Sequence, residues 1–218
     1  MAATKPSVRK RASGSRARHQ VRNLYRNAIL DASERVFAER GFHATRIQDI
    51  AHAARTAVGT MYNHFNDKSE VLCALLDERT QEILAQLGPR AGESKEFAVW
   101  LEERIRRMLA YVERHRGLFA IVMNLGGGAA GSSDAAISER AMRRVQRFRA
   151  AWQAIVDEGV REGALETTEN PALLGALLAG TVRALTHDAL ADPETPLIEL
   201  APAIVRLFLR GAGRRKPG

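Results

Sequence analysis

Among 218 residues there is one cysteine, Cys73. A single thiol excludes an internal disulfide and any multi-cysteine metal site, and it suits a small buried side chain in a reducing compartment. The six histidines, His19, His43, His52, His64, His115 and His187, never fall at a paired metal-ligand spacing. P-loop, dinucleotide fingerprint and nucleophile elbow are all missing. No metal, no cofactor and no catalytic residue is therefore expected, and the chain does not read as an enzyme. Long hydrophobic runs are also absent: the longest, PALLGALLAGTV, stops at Arg183 and is too short to span a bilayer. No hydrophobic segment follows the basic N-terminus, so it is not a secretory signal. A cytoplasmic location with no membrane partner is the expectation.

Acid is absent from both ends. Residues 1–22 carry seven lysines and arginines, and residues 210–218 carry four, so the body between them has a net charge of −3 against +8 for the whole chain. Residues 1–22 are expected to be a basic disordered arm and 211–218 a basic tail. Such ends attract polyanions, and binding through them weakens steeply as salt rises.

What is present is helical periodicity, with no convincing alternation of period two. The spacing predicts an all-α chain of about nine helices. Tyr25, Ala28, Ile29, Ala32, Val36 and Phe37 make one stripe, closed by Gly41 as a C-cap. Thr45 and Gln48 have the spacing of a capping box for the next helix, which puts Ile47, Ile50, Ala51 and Ala54 on one face. A short helix over 57–65 follows a tight turn. Asp67 and Glu70 offer another capping box for a helix from Lys68 to Leu87. Helices over 94–115 and 117–124, separated near Gly117, precede a flexible GGGAAGSS connector at 126–133. Three more run over 134–162, 171–191 and 196–210, the last two opened by Pro171 and Pro196.

The helix at 57–65, AVGTMYNHF, is poor by propensity. On a helical wheel Met61 and Phe65 share an inward edge, with Ala57 and Val58 near it. Thr56, Gly59, Thr60 and Asn63 fall on the opposite edge, flanked by Tyr62 and His64. That outer face offers hydroxyls, an amide and bare backbone, groups able to read base edges while charges elsewhere hold phosphates. Two short helices around a tight turn make a helix-turn-helix.

Residues 29–72, ILDASERVFAERGFHATRIQDIAHAARTAVGTMYNHFNDKSEVL, resemble the DNA-binding domain of the TetR family of bacterial transcription regulators. The likeness rests on FAERGF, on the T-x-x-x-x-I-A of the second helix, and on GT-x-Y-x-x-F-x-x-K through the third. It implies an N-terminal three-helix helix-turn-helix domain, 23–67, followed by a helical effector-binding and dimerisation domain, 68–210. Carried over position by position, Thr45 and Arg46 would hold phosphates. Gly59, Thr60 and Asn63 would face the groove, and Tyr62, His64 and Lys68 would clamp the backbone. The family's glycine-valine-serine turn is Arg55, Thr56, Ala57 here, so Thr56 would cap the third helix one residue early.

The segment 172–182 is apolar on every side and must be covered all round. The last helix is broadly apolar as well. Leu174, Gly175, Leu178, Ala179 and Val182, with Ala201, Ile204, Val205 and Phe208, are expected at a four-helix homodimer interface, as the resemblance also implies. In the middle helices, Phe97, Leu101, Ile105, Met108 and Val112 form an inner stripe, with Arg104 lying among Trp100, Met108 and Tyr111. A second stripe joins Ala141, Val145, Phe148, Trp152 and Val156. The family binds small effectors among such helices. The resemblance thus marks Trp100, Arg104, Met108, Tyr111, Phe119, Met123, Phe148 and Trp152 as lining for an unknown small-molecule effector. The expected function is a DNA-binding transcription regulator. In the family's usual mode it would be a repressor released from a near-palindromic double-stranded operator by its effector. A non-specific nucleoid-type DNA-binding protein is the alternative.

Overall fold

The computed structural model describes residues 8–89, 94, 96–124, 135–165 and 170–212. Among these, nine α-helices and one 3-10 turn make up the fold, with no strand. The helices are α1 (Val8–Ala44), α2 (Ile47–Ala53), α3 (Val58–Tyr62), α4 (Lys68–Gln86), α5 (Phe97–Arg114), α6 (Arg116–Asn124), α7 (Ala135–Arg161), α8 (Pro171–Leu190) and α9 (Leu200–Ala212). The 3-10 turn, Leu197–Glu199, precedes α9.

Several expectations change. Residues 8–22 are helical, as the start of α1, where a disordered arm was expected. Arginine, lysine and alanine are good helix formers, and no proline follows Pro6 in this stretch, so α1 extends through it. The break between α5 and α6 falls at His115 (φ −112°, ψ 25°) rather than at Gly117. The helix expected over 196–210 begins instead as the 3-10 turn, and α9 runs on through Gly211 and Ala212, which had been expected in the tail 211–218; residues 213–218 and the connector 126–133 lie outside the described residues. Other boundaries follow the punctuation: Gly41 leaves the helix at φ 75°, Pro171 opens α8, and Asn170 caps it by accepting from the Ala172 amide at 2.9 Å.

The chain divides into two compact units, Met1–Leu75 and Leu76–Gly218, so the division falls inside α4. In the first, α1 packs on α2 and α2 on α3. Its interior comprises Ile29, Leu30, Val36 and Phe37 of α1, Ile47 and Ile50 of α2, Met61 and Phe65, and Val71 and Leu72 of α4. Cys73 is buried and reduced. In the second, α5 packs against α9 and the 3-10 turn, and α8 packs against α6, α7 and α9. Leu101, Ile105, Leu109, Val156, Leu178, Leu197 and Ile204 lie in its core.

Cations close several helix ends. Arg104 donates to the Leu87 carbonyl, and Arg107 donates to the carbonyls of Gln86 and Gly88, each at 3.1 Å, at the end of α4. Arg116 gathers the carbonyls of Ala189 (3.2 Å), Asp192 (2.9 Å) and Thr195 at the end of α8. Those of Gln86 and Ala189 lie in the last turn of a helix, which leaves carbonyls without an amide at the negative end of its dipole, while Leu87, Gly88, Asp192 and Thr195 follow just beyond.

Gly159 of α7 lies against Phe97 and Leu165. An added Cβ there would meet the Phe97 ring at 2.5 Å and a Leu165 methyl at 2.8 Å. Overpacking of this kind costs about 1–3 kcal/mol. Gly159→Ala should lower the unfolding free energy by that amount in urea titration, whereas an unchanged midpoint would mean that the Phe97 ring moves aside freely.

Candidate nucleic-acid interface

A five-residue helix has no stability of its own. Burial holds α3 in place: Met61 is fully covered and Phe65, just past its end, is 4% exposed. With that edge fixed, the opposite edge is set by geometry. Gly59, Tyr62 and Asn63 are exposed, while Thr56, Thr60 and His64 are half-buried. Nothing lies within 4 Å of where a Gly59 Cβ would stand, so packing within the chain does not demand a glycine there. Ala57, expected near the inward edge, is exposed.

The turn between α2 and α3 differs from expectation. Ala57, not Thr56, is the residue preceding α3, and no side chain caps the helix. Arg55 adopts φ 53°, the left-handed region that favours glycine, at a cost of about 1–2 kcal/mol.

At the start of α2 the structure corrects two assignments. Thr45 is 1% exposed and donates its hydroxyl to the Gly41 carbonyl at 2.7 Å, so its side chain is engaged as a brace inside the protein. The capping acid is Asp49 rather than Gln48: it accepts from the Arg46 amide at 2.9 Å and pairs with Arg40 at 2.8 Å. Arg46 itself is exposed. Lys68 is the third departure. Its ammonium donates to the carbonyls of Phe42 (2.9 Å), His43 (2.9 Å) and Thr45 (3.0 Å), and it lies 4.7 Å from the centre of the Phe42 ring.

Sequence reading missed a cationic cluster. Partial burial, then the charges of Arg22 and Arg26, lower the pKa of His64 below the ordinary histidine value. Arg26 also lies 5.8 Å from the centre of the Phe65 ring. The signal was available, because Arg22 and Arg26 are four apart and so share a helix face. Assigning Arg22 to a disordered arm obscured it.

In the second unit most of the residues expected at an effector site or a dimer interface are buried. Arg104 is 6% exposed, and its guanidinium lies 4.1 Å from the centre of the Trp100 ring. Met108, Tyr111 and Trp152 are buried, and Phe119 and Phe148 pack against the same core. The Met123 side chain lies outside the described residues. Val145, expected on the inner stripe of α7, is 57% exposed. A cleft of ≈ 530 Å³ borders this region and is lined by Arg79, Glu82, Ala85, Gln86, Tyr111, Arg114 and His115. Within it Glu82 accepts from Arg79 at 3.0 Å and from the Tyr111 hydroxyl.

The residues expected at a dimer interface face inward instead. Leu174, Gly175, Leu178, Val182, Ala201, Ile204, Val205 and Phe208 are buried within their own chain, and Ala179 is half-buried. A covered side chain has no surface left to bury against a partner. The exposed large apolar residues on these helices are Leu173 and Leu177 of α8 and Leu207 of α9.

Among the described residues no group of three or more His, Cys, Asp or Glu is placed to hold a metal, and no helix is long and apolar enough to cross a membrane. The family model for bacterial regulatory proteins, tetR family, matches residues 29–75. The fatty acid metabolism regulator protein of Bacillus subtilis (strain 168) is 23% identical over 187 residues, covering 84% of this chain and 93% of that protein. The HTH-type transcriptional regulator TtgR of Pseudomonas putida is 42% identical over 73 residues, a stretch covering 33% of either chain. The crystal structure of the transcriptional regulator FadR from Bacillus subtilis in complex with stearoyl-CoA shares the fold. Its TM-score is 0.73 at 22% identity, covering 84% of this chain and 97% of that one.

Two outcomes follow from the geometry of α3. Gly59→Ala should stabilise the fold by up to about 1 kcal/mol in thermal unfolding, because alanine is the better helix former and has room. The same substitution should weaken binding to duplex DNA; unchanged affinity would remove close backbone approach as the reason for glycine. For His64, proton NMR should give a titration midpoint below that of a free histidine, rising in Arg22→Ala and Arg26→Ala. Because the folded state holds the ring neutral, the stability it contributes at neutral pH is lost as pH falls through that lowered midpoint.

Proposed function

We propose that this chain, a member of the TetR family of bacterial regulatory proteins, is a homodimeric repressor that reads a near-palindromic operator with α3 and releases it on binding a small effector. The observation that carries the reading is the exposed face of α3, neutral and glycine-containing, held outward by buried Met61 and Phe65. Short polar groups on such a face can reach base edges in the major groove. Arg46, Tyr62, Asn63, Thr60 and the Arg22–Arg26–His64 cluster are the proposed DNA contacts, the cationic ones on phosphates. The units divided within α4 are read as a DNA-binding part and a part for effector binding and dimerisation.

Dimerisation is assigned to the outward faces of α8 and α9. Leu173 and Leu177 are four apart on one helical face and 58% and 51% exposed, and Leu207 is 59% exposed. Such residues would be covered by the same surface of a second copy in a twofold interface. A twofold dimer sets its two reading helices about one DNA turn (~34 Å) apart.

The effector part of the reading is supported by the relatives, one of which is seen with stearoyl-CoA. The cleft beside Tyr111, with Arg79, Gln86, Arg114 and His115, offers polar groups for such a molecule. Release then follows from a population shift, to the extent that the effector binds one state of the dimer more tightly than the other.

Selection of bound duplexes from a random pool at ~150 mM salt tests the reading at an ionic strength where exposed charges are substantially screened. An enriched twofold site is the expected result. Binding without enrichment that vanishes as salt rises would instead mark a non-specific, nucleoid-type protein. Leu177→Glu should shift sedimentation from dimer to monomer and abolish cooperative occupancy of that site, and a dimer that persists would move the interface elsewhere. Stearoyl-CoA is the first compound to test for release of the selected operator.

A further inference from the structure

We infer that Lys68 is a positioning residue for the DNA-reading helices and not a contact to DNA phosphate, an inference that rests on the operator-binding reading. An ammonium has three N–H donors. At Lys68 three carbonyl acceptors lie within reach, those of Phe42 and His43 at 2.9 Å and Thr45 at 3.0 Å, so its donor capacity is already filled by the protein.

These acceptors sit where α1 ends and α2 begins, 23 to 26 residues earlier in the sequence. Helix α1 kinks at Gly41, whose φ of 75° breaks the regular ladder, and Phe42 and His43 lie in its last residues beyond that kink. Carbonyls at such an end carry partial negative charge and attract a cation. One side chain at the first residue of α4 thereby fixes the end of α1, the path through residues 42–45 and the entry to α2. The Phe42 ring, 4.7 Å from the ammonium, closes another side of it.

Neighbouring contacts tighten the same junction. The Thr45 hydroxyl returns to the Gly41 carbonyl at 2.7 Å, the Arg46 amide donates to Asp49 at 2.9 Å, and Arg40 pairs with Asp49 at 2.8 Å. Because α2 packs on both α1 and α3, the setting of this junction determines how α3 is presented. A similar arrangement recurs in the second unit, which holds none of the proposed DNA contacts: there Arg116 gathers the carbonyl of Ala189 in the last turn of α8 and those of Asp192 and Thr195 in the chain that follows.

The two roles differ in salt dependence. Loss of one phosphate contact reduces the slope of log K against log salt by about 0.9, whereas loss of positioning lowers affinity and leaves the slope alone. The test uses the full-length chain, the selected operator, and the variants Lys68→Met and Lys68→Arg. Affinity is measured across salt at a temperature where circular dichroism shows each variant folded.

Both variants should bind at least about tenfold more weakly with salt plots parallel to wild type, since a planar guanidinium does not reproduce the tetrahedral donors of an ammonium. Wild-type affinity in Lys68→Arg, or a slope reduced by about one phosphate in Lys68→Met, overturns the inference. If Lys68→Met does not fold, Lys68→Arg decides on affinity. Hydrogen exchange without DNA gives an independent answer. Amides of α2 and α3 should lose protection in the folded variants, and unchanged protection overturns positioning even if wild type selects no operator, an outcome that would separately remove the operator reading.

Discussion

Helix C-termini in this protein are closed by cations that arrive from far along the chain. Lys68 closes α1, Arg104 and Arg107 close α4, and Arg116 closes α8. Each helix end leaves carbonyls without amide partners, and an unsatisfied polar group away from water is costly. A lysine or arginine satisfies several at once and opposes the helix dipole. An all-helical chain has many such ends, and its lysines and arginines supply the donors. The device also sets angles, because one cation bonded to several carbonyls holds the outgoing chain in one direction.

The candidate interface depends on that constraint. A helix as short as α3 takes its position from its neighbours. Met61 and Phe65 fasten it from beneath, α2 sets its direction, and the Lys68 junction sets α2. Only then is the neutral face of Gly59, Thr60 and Asn63 presented as a surface. Arg55 pays for the tight turn in backbone strain that a glycine would avoid, so local propensity yields to the tertiary arrangement there.

Charge legible in sequence did not translate directly into contact. Thr45 and Lys68, both expected on phosphate, are engaged within the protein. Partial burial first, and then the charges of Arg22 and Arg26, one of them assigned to a disordered arm, hold the His64 ring toward the neutral form. The likeness to tetR-family regulators identifies the domain at residues 29–75, yet a family position does not fix what a side chain touches in one member. Arg104 makes the same point in the second unit. An arginine among aromatics suggested a ligand site, and the structure gives it the Leu87 carbonyl and the Trp100 ring.

By itself the sequence determined the helical class, most helix boundaries and the outward face of α3. All three follow from local rules: period 3.6, caps, and the punctuation of Gly41 and Pro171. It could not choose between the two apolar sides of α8. Leu174 and Leu178 turned out to be core, while Leu173 and Leu177 remain exposed. A helix apolar all round gives no periodic signal for which side meets its own chain. Nor could it pair Lys68 with carbonyls more than twenty residues away, because backbone acceptors carry no residue identity. Those choices were made by tertiary packing, where the donors and acceptors that share a junction are set by how the helices meet.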